Sequence, residues 1–397
     1  MSIVKKADVL LPQNCDLTKW SVVACDQYTS QRDYWERVTQ FTKDSPSTLN
    51  LVYPEAFLSE GDARIEKINQ TMEEYTKSGL FKEYKDCFIY VERTLSNNRV
   101  RKGIVCSIDL EEYDFTKGSK SAIRATEGTV LERIPPRVKI RENASLELPH
   151  VMLLADDKEC ALIENVKKGE KLYDFTLMEN GGQLAGWLVD GENADSFLES
   201  IDAFRKNAPD GLVFAVGDGN HSLATAKTCW ENIKKNLSAK EQENHPARFC
   251  LVEIENIHDE VLEFEPIHRI VFGVDEDEFI EEFKKDLGAK EEGTQHIVLV
   301  NNGNKTDLYI NNTTSPLEVG TLQNYLDKKG YEVDYIHGED VVCNLSMEKG
   351  AIGFLLPTPE KSSLFETVIK DGALPRKTFS MGEANEKRFY MEAKKIK

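Results

Sequence analysis

No stretch of this sequence reaches the roughly 18–20 consecutive apolar residues that a membrane helix requires. The opening, Met1-Ser-Ile-Val-Lys-Lys-Ala-Asp, has no apolar region of the kind that directs secretion. The eight cysteines are scattered singly from Cys15 to Cys343 with no Cys-x-x-Cys, which suggests neither a zinc site nor a disulfide framework. Positive charge is short: Lys and Arg number 50 against 69 Asp and Glu, a net charge of −19. That field opposes nucleic acid and anionic membranes. No Gly-x-x-x-x-Gly-Lys-Ser/Thr occurs, and there is no internal repeat or low-complexity tract. These absences predict a soluble cytoplasmic protein whose partner is a small molecule.

Against this, 40% of the 397 residues are hydrophobic, enough for a large core and for two or three domains. Strands are expected at 3–11, 87–95, 103–110, 151–154, 172–178, 184–189, 212–216, 248–254, 265–271, 296–300, 305–310 and 351–356. Helices are expected from a Ser30 cap to about Phe41, with Tyr34, Val38 and Phe41 buried, and over 60–79, 192–207, 220–233, 276–287 and 317–328. A short helix is expected after 154, and Asn180-Gly181-Gly182 reads as a hairpin turn. The fold class that follows is α/β to α+β, a mixed sheet with flanking helices. The expected division is an N-terminal α/β lobe over 1–115, a core over 116–272 and a C-terminal α/β lobe over 273–397.

Two stretches carry chemistry. The first runs from an apolar strand, Leu212 to Val216, through Gly217-Asp218-Gly219-Asn220-His221-Ser222 into a helix marked by Leu223, Ala226, Trp230 and Ile233. Glycines let a backbone approach a ligand closely, and a helix start offers N–H donors and a positive dipole end, so the build suits an anion. Asp218 can hold a metal or accept a proton, and His221 can donate or accept near neutral pH. Ser222 stands where a Rossmann pattern needs its third glycine, and Asn220 or Ser222 would serve equally as an ordinary helix cap. The second stretch, 117–141, holds seven basic residues against two acidic, including Arg124, Arg133 and Arg137, with Pro135-Pro136 stiffening the chain. In so acidic a protein this cluster reads as anion-binding. Two further candidates are less specific: His268-Arg269 inside an apolar strand, and the tail Leu374–Glu383, basic first and then polar.

The Arg-Ala-Thr-Glu-Gly-Thr stretch at 124–129, Gly-Asp-Gly-Asn-His at 217–221, Pro-Ile-His-Arg at 266–269 and Leu-Pro-Arg-Lys-Thr-Phe at 374–379 resemble a family catalogued as number ten-fifteen among the domains of unknown function. The resemblance spans nearly the whole chain. That family's Asp-Gly-His-His-Arg motif is similar to the phosphate-gripping turn of the ParB and sulfiredoxin-like superfamily, which includes kinases of free L-serine. The resemblance implies a ParB-like core with an additional lobe, ATP or ADP with Mg²⁺, and transfer of a phosphoryl group to a small hydroxyl metabolite such as free serine. It implies Asp218 as catalytic and metal-holding residue, His221 beside it, and Glu127 as the acid acting on the substrate hydroxyl. Gly217, Gly219, Asn220 and Ser222 would wrap the phosphates. Ser222 replaces the motif's arginine, so a clamp would have to come from Arg124, Arg133, Arg137 or the His268-Arg269 pair. A nucleotide hydrolase and a non-enzymatic nucleotide-binding module are the alternatives.

Overall fold

Alternating branched and aromatic residues build one long hairpin, Phe81–Thr94 against Val100–Asp109. The computed structural model describes residues 2–29, 31–129 and 131–397. Beyond the first strand of the hairpin lie Gln183–Val189 and Lys171–Thr176. Beyond the second, in order, lie Phe249–Asn256, Met152–Ala155, Phe214–Asp218, Ile123–Ala125 and Tyr113–Asp114. With Val4–Lys5 and Ala7–Pro12 added, the sheet has eleven strands among the described residues. It is mixed, as the sequence predicts. Phe249–Asn256 runs parallel to Met152–Ala155, and Ile123–Ala125 runs parallel to both Phe214–Asp218 and Tyr113–Asp114. The remaining pairs are antiparallel.

Successive residues of Phe81–Thr94 serve opposite faces, as a strand's period of two demands. Phe88 and Tyr90 pack with Phe197, Ile201, Leu223 and Trp230 beneath the helices Gly191–Asn207 and Asn220–Lys234. Cys87, Ile89 and Val91 pack with Trp20, Tyr34, Trp35, Ile68 and Met72 on the other face. The C-terminal residues join that second face, where Phe389, Met391, Ala393 and Ile396 are buried. The Trp20 indole Nε1 donates to the Met391 carbonyl at 2.9 Å. Lys394 Nζ lies 3.3 Å from the buried Glu147, which also holds Arg141.

The chain forms two compact units, residues 1–263 with 365–373 and 382–397, and residues 264–364 with 374–381. The second unit has its own antiparallel sheet of six strands with Phe264–Val271 paired to Val333–His337, Ile352–Leu355 and Phe379–Met381. Helices Glu276–Asp286 and Glu318–Lys329 supply Phe279, Phe283, Leu322 and Leu326 to its core. Residue 115 marks no division, because Tyr113–Asp114 and Ile123–Ala125 are paired on either side of it. Residue 272 lies inside the second unit, because the strand ending at Val271 pairs only with later strands. Among the described residues no helix is long and apolar enough to cross a membrane.

Three local expectations change. Phe41 is 43% exposed, while Trp35 is buried, so the helix Arg32–Thr42 is rotated from the expected stripe. Its expected cap, Ser30, lies outside the described residues, and Gln31 occupies the N-cap position. Pro135 and Pro136 do not stiffen a loop. They sit in the first turn of the helix Ile134–Arg141, where a missing N–H costs nothing. The helix expected after residue 154 is replaced by turns. There the Asp157 carboxylate accepts the Ala161 and Leu162 N–H groups at 2.7 Å each and competes with a helical ladder.

Candidate functional site

Register places the site. Val216 pairs with Ala125 in parallel and with Leu153 antiparallel. Strands 123–125 and 214–218 therefore run out, and strand 152–155 runs in, at one end of the sheet. Two residues beyond that parallel pair stand Glu127 and Asp218, and two residues before Met152 stands His150. The carboxyl ends of adjacent parallel strands are where open α/β sheets receive ligands.

Gly219 makes the turn possible. Its φ is +85°, and a Cβ there would meet Val151 Cγ2 at 2.9 Å. It is the N-cap of the helix Asn220–Lys234, which starts without a side-chain cap. The first-turn N–H groups fall outside the helix's own ladder and add to its positive end. Asp218 Oδ1 accepts the Gly219 N–H at 2.8 Å, and Oδ2 lies 3.3 Å from Lys387 Nζ. Lys387 is buried, at 6% exposure, while the Asp218 side chain keeps 34% of its surface. A buried ammonium therefore faces an accessible carboxylate at a helix start.

His150 closes the arrangement. Its Nε2 is 3.0 Å from Ser222 Oγ and its Nδ1 is 3.1 Å from the Tyr390 hydroxyl. Burial pushes the imidazole below its ordinary value, Asp218 pulls it back up, and Arg388 and Arg137 add to the lowering. Burial holds the Tyr390 phenol well above its usual range. Arg388 fixes both neighbours. It donates to Glu253 at 2.6 Å, to Glu392 at 2.7 Å and to the Pro149 carbonyl at 2.7 Å. Pro149 precedes His150 directly, Lys387 precedes Arg388, and Tyr390 lies two residues after it in the tail.

The other expected residues divide. Gly217 and His221 lie at the turn, both partly exposed, and the His221 carbonyl accepts the Thr225 hydroxyl at 2.7 Å. Asn220 fastens the segment carrying Glu127: its Oδ1 takes the Thr126 N–H at 3.2 Å and its Nδ2 donates to Thr126 Oγ1 at 3.2 Å. Arg124 is committed to the framework, donating to Asp210 Oδ2 at 2.9 Å, the Asp210 carbonyl at 2.6 Å and the Ser121 carbonyl at 2.9 Å. Arg137 pairs with Glu55, and Arg133 is exposed at the start of the helix Ile134–Arg141. His268 and Arg269 belong to the second unit. Arg269 is fully buried and donates to the carbonyls of Ile267, Arg376 and Lys377. His268 Nδ1 accepts the Leu356 N–H at 3.1 Å. In the tail, Arg376 is taken by Asp327 at 2.6 Å.

Sequence reasoning missed His150, Lys387, Arg388 and Tyr390. One signal was present: Phe389, Met391 and Ala393 alternate with polar residues, the mark of a packed extended segment.

A family described as "Protein of unknown function (DUF1015)" matches residues 10–329, a stretch that stops short of Lys387 and Tyr390. No curated protein matches the chain. Among solved structures it is similar to a free serine kinase mutant in complex with ADP, at 12% identity over 72% of this chain and 94% of that one, with a TM-score of 0.39. It is also similar to a C-terminally truncated SbnI from Staphylococcus aureus, at 11% identity over 70% and 82%, with a TM-score of 0.38. A conserved hypothetical protein from Pyrococcus furiosus matches at 14% identity over 70% and 93%, with a TM-score of 0.34. Likeness of this degree says nothing about this chain's ligand, whose reading rests on its own residues.

Proposed function

We propose that this chain, which belongs to the DUF1015 family of proteins of unknown function, is a nucleotide-dependent phosphotransferase acting on a small hydroxyl metabolite, free L-serine being the first to test. The observation that carries the reading is the Asp218 carboxylate fixed between the Gly219 N–H and the Lys387 ammonium at an uncapped helix start. Phosphoryl transfer asks the protein for little covalent chemistry. It asks for positive groups around the phosphates, an acid to orient metal or nucleophile, and a base at the hydroxyl.

The roles follow from position. The backbone of 217–222 and the helix start receive the phosphates, and Lys387 balances their charge. Asp218 orients the nucleophile. Glu127, leaving the neighbouring parallel strand, takes the acceptor's proton. His221 follows in the first turn of the helix Asn220–Lys234. No group of three or more His, Cys, Asp or Glu side chains gathers as a metal site among the described residues. Mg²⁺ needs none, since one or two carboxylates and phosphate oxygens suffice for it, and Asp218 would be the carboxylate here. When bound, Mg²⁺ would neutralise charge on the phosphate oxygens.

The test is phosphorus NMR of the full chain with Mg²⁺ and ATP, then ADP, over a pool of hydroxyl metabolites that includes L-serine. The expected result is a new phosphomonoester signal that requires one acceptor and falls about 100-fold or more in Asp218→Asn. Inorganic phosphate without any acceptor would make the protein a hydrolase. Unchanged nucleotide would remove phosphoryl transfer altogether and leave, at most, a binding module.

A further inference from the structure

Ser222 has a surrounding that an ordinary first-turn serine does not need. Its Oγ is 3.0 Å from His150 Nε2, and the far nitrogen of the same ring is 3.1 Å from the Tyr390 hydroxyl. A hydroxyl nucleophile, an imidazole and a third group that fixes the ring are the parts of an activated nucleophile. They come from three remote parts of the chain, the helix Asn220–Lys234, the entry to the strand Met152–Ala155 and the C-terminal tail. Ser222 is the third residue of its helix and remains partly exposed, so its oxygen lies where that helix start favours an anion.

We propose that the phosphoryl group passes first to Ser222, with His150 as the base that takes the Ser222 hydroxyl proton. The step rests on the phosphotransferase reading and deepens it. Ser222 Oγ bonds to the terminal phosphorus of the nucleotide, and the bond from that phosphorus to the bridging oxygen breaks. The electron pair leaves with the shortened nucleotide, and the Ser222 proton moves to His150 Nε2. The hydroxyl of the acceptor then attacks the phosphoserine phosphorus, the Oγ–P bond breaks, Glu127 takes the acceptor's proton, and His150 returns its own proton to Ser222 Oγ. The step uses the tautomer in which Nδ1–H is held by the Tyr390 oxygen, so that the Nε2 lone pair faces Ser222. Burial holds the ring below its ordinary value, so it stands neutral near pH 7 and able to take a proton.

The experiment uses the full chain with Mg²⁺ and ATP labelled in its terminal phosphate, with ADP in parallel. Samples are quenched in acid between milliseconds and minutes and read by intact mass and peptide mapping. The expected result is one phosphoryl group on Ser222, absent from Ser222→Ala and formed about 100-fold or more slowly in His150→Gln. The labelling rate of the native chain should fall as pH drops through the His150 titration. Circular dichroism and acceptor turnover by phosphorus NMR are measured on the same variants. Transfer to an acceptor by folded Ser222→Ala at the native rate, or label on another residue, overturns the covalent step and leaves the phosphotransferase standing. Phosphoserine that no acceptor discharges keeps the covalent step and removes the kinase. A chain that never consumes nucleotide removes both.

Discussion

Replacing Arg388 by methionine should test how the site is held. The guanidinium lies between the Glu253 and Glu392 carboxylates at 2.6 and 2.7 Å, with both acids and the arginine itself buried. Burial alone would lower the Arg388 titration, but Glu392 and Glu253 more than offset it and hold it above its ordinary value. In Arg388→Met two buried carboxylates lose their shared cation. The Tyr173 hydroxyl still donates to Glu392, and Arg93 and Arg101 border the same small cavity. The net loss should therefore be about 3–5 kcal/mol, the usual cost of breaking a buried pair from one side. Protonation relieves a buried carboxylate that has lost its cation, so the gap to the native protein should shrink on acidification. Urea unfolding at pH 7.5 and pH 5, followed by circular dichroism and by tryptophan fluorescence, measures it. Trp20, bonded to the tail at Met391, is among the fluorescence reporters. A gap below about 1 kcal/mol at pH 7.5, or one that widens in acid, would refute the reasoning.

Two further changes probe other levels. Gly219→Ala forces a side chain into φ +85° and against Val151, so it should cost about 1–3 kcal/mol and weaken phosphate-ligand binding; an unchanged melting temperature contradicts this. In the second unit, burial pushes His268 down to about 4, against the opposing pull of Glu339, and protonation at Nδ1 would break the bond from the Leu356 N–H. Its contribution to stability is complete above about pH 6.5 and is lost as pH falls toward 4, roughly 2 kcal/mol by pH 5. A proton NMR titration of the His268 ring should find a midpoint below 5, and a midpoint above 6 would be decisive against it.

What the sequence shows clearly is what depends on neighbours along the chain. The strands at 87–95 and 103–110, which pair as a hairpin, and the strand, turn and helix through 214–234 are written in local periodicity, and both are present. Asp218 and Gly219 fall at the join of that strand and helix for the same reason. Arg124 shows the limit. Its charge suggests an anion site, yet it sits between the buried Ile123 and Ala125 and is itself 2% exposed. Its partner, Asp210, is 86 positions away at φ 52°. Charge in a sequence announces a need for a partner without saying whether that partner is a ligand or another part of the protein.

The tail makes the same point from the other side. Lys387, Arg388, Glu392, Lys394 and Lys395 are charges, and an isolated charge is costly to bury. Four of the five are buried all the same, and partners from remote segments make that tolerable: Asp218 for Lys387, Glu253 for Arg388, Glu147 for Lys394. A buried pair of this kind adds little net stability over an apolar contact. Its effect lies in register, since a slip of one residue would leave several charges unmatched at once. Lys387 and Tyr390 can therefore meet Asp218 and His150 only when the tail is seated in one alignment. That alignment is set by pairs that lie behind the candidate site, Arg388 with Glu253 and Lys394 with Glu147.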